Sequence, residues 1–236
     1  MGRPLEDGEL KYLVTDLLTV TSERDKQRLV GASQIGNPCD FCLGGAMLAH
    51  GQRRNAYWMG ARIGTAIHAA LEEEAEKHTD RPREGRFNAL KGALIETKIT
   101  LGTIPGYGTI KSKPDLLLTE HDHLVDYKTT TKAKLAKMKA TNSVPIQYVY
   151  QQQLYAWGLN NSGYKVKTCS LVFICRDGTN ENDIWVHSFD YDESKAISAW
   201  TRLEAIWKYL TDNNQDTSGL TSHPECWYCV NMLGRI

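Results

Sequence analysis

The 236-residue sequence has no net charge, because 28 lysines and arginines balance 28 aspartates and glutamates. The composition therefore gives no overall attraction to nucleic acid or to acidic lipid, and any basic surface must be local. Long apolar runs are also missing: the segment from Ser170 to Cys175 is among the longest and falls far below the ~20 residues of a membrane span. Residues 1–8 carry no apolar signal sequence. We expect no membrane association and a cytoplasmic location.

Cysteine is scarce, and its six residues are too few for a disulfide scaffold in a chain of this length. Four of the six form two CxxC pairs, Cys39/Cys42 and Cys226/Cys229. In an intracellular protein such pairs usually bind metal, and their spacing suits tetrahedral zinc and an iron-sulfur cluster equally. One pair lies near each end of the sequence, so a shared site would join the two ends. Cys169 and Cys175 lie in a predicted buried strand and are expected in the core.

The hydropathy pattern predicts one α/β domain, since 41% hydrophobic residues can fill a core and no repeat or low-complexity linker divides the chain. Helical periodicity predicts helices over residues 10–30, 43–50, 56–78, 132–139, 146–159 and 193–210. Strands are predicted over residues 93–101, 107–119, 123–129, 166–175 and 183–190, and the first three form an antiparallel meander. A polar loop is expected over residues 211–222.

Acidic and basic residues mark the last hairpin of the predicted meander. Asp115 opens one strand, and Asp126 and Lys128 lie two residues apart on the next, so their side chains project to the same face. Carboxylates suit Mg²⁺ or Mn²⁺, and a lysine beside the metal can orient a water molecule. The pattern predicts metal-assisted hydrolysis of a phosphodiester. Taken alone, the Asp126/Lys128 pair equally fits an exposed ion pair on an edge strand.

Pro114-Asp115 followed by Asp126-Tyr127-Lys128 resembles the signature of the PD-(D/E)xK nucleases. The segment from Asp126 to Thr130 is similar to the DYKT form of the RecB-like exonuclease branch. One feature departs from that pattern. The glycine usual just before the first aspartate is absent, and the nearest one, Gly108, lies seven residues upstream.

Two further segments extend the resemblance. Residues 64–68 resemble the GxxxH helix motif, whose histidine is a metal ligand, and residues 151–155 resemble the QxxxY motif. His68 could instead be a core histidine, and Gln151 and Tyr155 could instead belong to an ordinary amphipathic helix. In the nuclease context this pair can reach the phosphate backbone or the carboxylates. Glu96 is either an outer ligand or a solvated strand residue.

The resemblance implies a restriction-endonuclease-like α/β core with a mixed central sheet, flanked by N- and C-terminal helical segments. It implies Mg²⁺ or Mn²⁺ as cofactor, with the metal ligands His68, Asp115, Asp126 and Tyr127. The implied catalytic residues are Asp115, Asp126, Lys128, Gln151 and Tyr155. The implied activity is that of an exonuclease on single-stranded DNA ends in recombination, repair or replication, with a recombination or helicase partner. The alternative is a catalytically silent DNA-binding or assembly protein.

Some RecB-like nucleases, including CRISPR-associated and helicase-linked members, close the domain with a 4Fe-4S cluster bound from both chain ends. The resemblance thus favours a 4Fe-4S cluster, with zinc as the alternative, bound by Cys39, Cys42, Cys226 and Cys229. That family usually has one N-terminal and three C-terminal cysteines, unlike the two pairs here. We expect residues 1–55 and 211–236 to form a metal-bound cap on a 56–210 core. Nearby lysines are expected to contact DNA phosphates, namely Lys111, Lys113, Lys132, Lys134, Lys137 and Lys139.

Overall fold

The computed structural model describes residues 7–19, 29–48, 58–79, 85–224 and 226–232. The helices in these ranges are α1 (Asp7–Thr19), α2 (Ala32–Ile35), α3 (Asp40–Leu48), α4 (Trp58–Thr79), α5 (Lys132–Thr141), α6 (Ile146–Asn161), α7 (Glu193–Asp212) and α8 (Trp227–Met232). The strands are β1 (Leu94–Ile95), β2 (Ile99–Ile104), β3 (Gly108–Ser112), β4 (Leu116–Leu118), β5 (His123–Thr130), β6 (Thr168–Cys175) and β7 (Ile184–Asp190). Predicted helical residues 20–28, 49–50 and 56–57 lie outside the described ranges.

The central sheet has five strands in the order β1-β4-β5-β6-β7. Three of its pairings are antiparallel, and β5 pairs with β6 in parallel. The chain between these parallel strands contains α5 and α6, as a parallel crossover requires. The sheet is therefore mixed, and the α/β class predicted from the sequence is confirmed.

The first two predicted strands are each divided in two. β1 and β4 belong to the main sheet, whereas β2 and β3 pair with each other in a separate two-stranded sheet. The breaks fall at Glu96, whose backbone is left-handed with φ 44°, and at Pro114, which has no backbone N–H to donate to a ladder. The two breaks face each other, because the Glu96 N–H donates to the Asp115 carbonyl at 3.0 Å.

Helices cover both faces of the sheet. On one face, α6 and α7 pack over a core that includes Leu124, Leu154 and Leu203. On the other face, α4 lies against β1 and β5, beside a smaller cluster around Leu116 and Val125. α7 shows why these helices form: Asp192 caps its first turn by accepting from the Ser194 N–H, and apolar residues at helical spacing face the core.

The described helices include none that is both long enough and apolar enough to cross a lipid bilayer. Outside the core, the segment 211–222 differs slightly from the predicted loop, since α7 extends to Asp212. The short helices α2 and α8 lie in the expected N- and C-terminal helical segments, although helical periodicity predicts no bounds for either of them.

Candidate active site and four-cysteine centre

Strand register brings the two aspartates of the motif together. β4 and β5 pair so that Leu116 faces Val125, which puts Asp115 and Asp126 at the same level of the hairpin. Asp115 is 7% exposed and Asp126 only 1%. The Asp115 Oδ2 atom accepts the backbone N–H of Tyr127 at 2.7 Å, so the carboxylate is fixed to β5 itself. The sequence-predicted pair therefore forms one buried site.

His68 reaches this site from α4. Its Nδ1 atom lies 3.4 Å from Asp115 Oδ1, and its ring meets the Tyr127 ring edge to face at 6.0 Å between centroids. The close contact with the Asp115 carboxylate raises the pKa of His68 against the opposing effect of burial. A Cβ atom added at Gly64 would lie 3.1 Å from Thr129 Oγ1, so the glycine allows α4 to approach β5. The GxxxH segment therefore places His68 beside the Asp115 carboxylate.

Glu96 lies beside His68 and Asp115. The sequence alone left open whether Glu96 is an outer ligand or a solvated strand residue. Donor atoms of His68, Glu96 and Asp115 all lie within 4.8 Å of one another, and the same residues line a small cleft between α4 and β4. Glu96 is held at its strand break by the left-handed backbone, and its side chain is 15% exposed. Its Oε2 atom lies 3.3 Å from Lys113 Nζ. Imidazole nitrogen and carboxylate oxygens are donors that suit a divalent cation.

Asp126 faces α6 on the other side of β5. Lys128 Nζ forms an ion pair with Asp126 Oδ2, and Gln151 Nε2 lies 3.4 Å from Asp126 Oδ1. The same Gln151 amide donates to the Tyr155 hydroxyl at 2.9 Å. Gln151 therefore links Tyr155, the other residue of the QxxxY segment, to Asp126. Burial and the charge of Asp115 raise the pKa of Asp126 to about 6, although Lys128 opposes the shift.

Lys128 lies between the carboxylate and an aromatic ring. Its Nζ atom is 5.0 Å from the centre of the Tyr148 ring, one helical turn before Gln151 on α6. A cation over a ring face is attracted by the ring's quadrupole. The lysine side chain is 16% exposed, so it can meet a ligand at the surface while its stem stays covered.

The predicted phosphate-contacting lysines separate into two groups. Lys132 pairs with Asp183 at 3.2 Å, Lys139 donates to the Asn182 carbonyl at 2.8 Å, and Lys113 pairs with Glu96. These three are therefore engaged in contacts within the protein. The other three are Lys111, Lys134 and Lys137, of which Lys134 and Lys137 lie three residues apart on the exposed side of α5.

The two CxxC pairs meet in space. The Cys39 and Cys229 Sγ atoms are 3.5 Å apart, and Cys42 Sγ lies 3.5 Å from Cys226 Sγ and 3.6 Å from Cys229 Sγ. All four Sγ atoms lie within 4.8 Å of one another. A shared site that joins the two ends of the chain was expected, and these four cysteines form such a group. Cys169 and Cys175 are buried elsewhere, in β6, as predicted.

The cysteine segment is fixed to the core at two places. Arg202 of α7 donates to the Ile35 and Asn37 carbonyls, and its Nε atom lies 3.4 Å from Asp40 Oδ1. A Cβ atom added at Gly36 would lie 2.3 Å from the Gln147 carbonyl oxygen, so the segment rests directly on the backbone of α6. The helix that holds Gln151 near Asp126 is therefore also the support of the cysteine segment.

No protein-family model matches the sequence, and no curated protein matches it significantly. Solved structures match the fold. The alkaline exonuclease LHK-Exo of Laribacter hongkongensis, in complex with dAMP, is similar over 81% of this chain and 94% of its own, with a TM-score of 0.52 and 15% identity. The chain has the restriction-endonuclease-like fold. A candidate exonuclease from Eubacterium rectale is similar over 100% of this chain and 95% of its own, with a TM-score of 0.51 and 11% identity.

Proposed function

We propose that this protein is a metal-dependent DNA nuclease. The observation that carries the proposal is the pair of buried carboxylates, Asp115 and Asp126, between an imidazole and an ammonium group. Burying two acids side by side is costly unless cations compensate them. The raised pKa of Asp126 is a sign of that cost, and such shifts concentrate at functional sites.

The residues of the site would have two roles, metal binding and orientation of the attacking water. His68, Asp115, Asp126 and Tyr127 would hold Mg²⁺ or Mn²⁺, which when bound lowers the pKa of water and offsets negative charge on the phosphate. Lys128 orients the attacking water, since its ammonium lies beside Asp126 near the surface.

The remaining contacts keep the carboxylates in place. The Tyr127 amide holds Asp115, Gln151 approaches Asp126, and Tyr155 orients the Gln151 amide. Gln151 and Tyr155 are 5% and 7% exposed, which favours contact with the carboxylates over contact with the phosphate backbone.

DNA is the proposed substrate, and single-stranded ends are the proposed point of attack. The structural neighbour LHK-Exo is an alkaline exonuclease that binds the deoxynucleotide dAMP, and the Eubacterium rectale neighbour is a candidate exonuclease. Lys134 and Lys137 extend from α5 just after the strand that carries Lys128, where ammonium groups can neutralise backbone phosphates. We also propose that the protein acts in recombination, repair or replication, together with a recombination or helicase partner.

The four cysteines are proposed to bind one structural metal centre, so that residues 1–55 and 211–236 form a cap on the 56–210 core. The family resemblance favours a 4Fe-4S cluster. Three of the six sulfur separations are 3.5–3.6 Å and all lie within 4.8 Å, which also suits a single zinc ion. Four thiolates at the Zn–S distance of about 2.3 Å lie about 3.8 Å apart, whereas a cubane spreads its ligands around four irons. Metal analysis of purified protein, together with the absorption near 400 nm typical of iron-sulfur clusters, separates the two.

Digestion of end-labelled DNA tests the proposed activity. Single- and double-stranded substrates are incubated with Mg²⁺, Mn²⁺ or a chelator. We expect metal-dependent release of nucleotides from single-stranded ends. The rival function, a silent DNA-binding or assembly protein, predicts that the DNA is bound and remains intact with either metal.

A further inference from the structure

Glu96 lies where a third ligand of a cation would be needed. His68 comes from α4, Asp115 from the start of β4, and Glu96 from the break between β1 and β2, so three separate elements direct donor atoms to one point. The atoms that meet are one imidazole nitrogen and two carboxylate oxygens, all within 4.8 Å of one another. Asp126, the other carboxylate of the proposed metal site, lies outside this trio of His68, Glu96 and Asp115 and is paired with Lys128.

Charge at the trio supports a cation there. Asp115 is 7% exposed and Glu96 is 15% exposed, and two such carboxylates repel each other unless positive charge lies near. Lys113 Nζ, 3.3 Å from Glu96 Oε2, supplies part of this charge. The Lys113 side chain is 53% exposed. A divalent cation can therefore displace the Lys113 ammonium group from Glu96 into water, and no buried charge is left unpaired.

We propose that Glu96 binds the divalent cation directly, together with His68 and Asp115. The PD-(D/E)xK motifs do not include this residue, so the inference adds a ligand to the site. It rests on the proposed function for the presence of the cation. Direct coordination requires the full length of the glutamate side chain, and that requirement makes the role testable without DNA.

The experiment is a titration of the full-length protein with Mn²⁺, in which electron paramagnetic resonance measures the unbound ion. Glu96→Gln removes the charge at constant shape, and Glu96→Asp keeps the charge on a shorter side chain. Aspartate is well tolerated in left-handed backbone, so Glu96→Asp should fold. Glu72→Gln is the matched control, because Glu72 lines the same cleft outside the trio. Asp115→Asn identifies which of the bound ions occupies this site.

We expect both Glu96 variants to bind Mn²⁺ about tenfold or more weakly, with the Glu72→Gln variant close to wild type. Wild-type affinity in Glu96→Gln overturns the inference and leaves the proposed function standing. Wild-type affinity in Glu96→Asp combined with weaker binding in Glu96→Gln also overturns it. A nearby negative charge would then explain the Mn²⁺ affinity without direct coordination. If wild type holds no Mn²⁺ that Asp115→Asn removes, the cation site of the proposed function fails as well.

Discussion

Replacing Asp126 with asparagine should change how the stability of the protein depends on pH. The buried carboxyl has a pKa of about 6, against an ordinary value of 3.8. Between these two values the unfolded chain has released the proton while the folded protein still holds it. The wild type therefore loses stability as pH rises from about 4 to about 6, and the asparagine variant has no such loss from this position.

The magnitude follows from the two pKa values. Each pKa unit corresponds to 1.36 kcal/mol, so the raised pKa of Asp126 corresponds to about 3 kcal/mol once the carboxyl is fully ionised. The variant also leaves Lys128 without its ion-pair partner. The lost ion pair lowers the stability of the variant, whereas the pH-dependent part comes from the Asp126 carboxyl and from its charge interaction with His68, whose pKa Asp126 helps to raise.

Urea denaturation measures both parts. The free energy of unfolding of wild type and Asp126→Asn is determined at several values between pH 4 and pH 7.5, without added divalent cation. We expect the variant to gain about 3 kcal/mol relative to wild type across this range. Changes at the cysteine centre affect both proteins equally and cancel in the difference. A difference that stays constant with pH, or that falls, would refute the assigned burial and charge of Asp126.

Three further predictions concern the remaining side chains. His68→Ala should weaken Mn²⁺ binding and cleavage together in a titration of activity against Mn²⁺, whereas a core histidine would lower thermal stability with unchanged metal dependence. Gln151→Ala and Tyr155→Phe should still bind Mn²⁺ but cleave DNA more slowly, because Asp126 loses its support from α6; full activity in both would make the helix purely structural. Replacing Cys39 and Cys226 together with serine should remove the bound zinc or iron and lower the melting temperature, whereas Cys169→Ser should keep the metal; unchanged metal content after the double replacement would contradict a shared centre.

The order of helices and strands could be predicted because it depends on local patterns. The meeting of the two CxxC pairs could be predicted because a shared metal site takes four thiolates. Alternation and helical periodicity mark β5, α6 and α7, and a strand register fixes which residues share a face. The contact between His68 and Asp115 follows from the GxxxH segment only with the family resemblance. No local sequence pattern predicts that α4 packs against β5 at Gly64.

Glu96 and the α5 lysines show what the sequence could not supply. Glu96 reaches the site because the chain breaks at two facing positions, and a left-handed glutamate has no sequence signal of its own. The sequence predicts Lys132 and Lys139 as phosphate contacts. In the structure Lys132 pairs with Asp183, and Lys139 donates to the Asn182 carbonyl. Both outcomes depend on tertiary contacts between segments far apart in the chain.

The central claim is that the Asp126/Lys128 site hydrolyses DNA with a divalent cation, and single-turnover kinetics test it most directly. End-labelled single-stranded DNA is mixed with excess wild type, Lys128→Ala or the control Lys165→Ala, whose lysine is 66% exposed and pairs with Asp122. We predict cleavage by wild type and by the control only when Mg²⁺ or Mn²⁺ is present, and a rate at least about 100-fold lower for Lys128→Ala. Equal rates for wild type and Lys128→Ala, or intact single- and double-stranded DNA with both metals, would contradict the account.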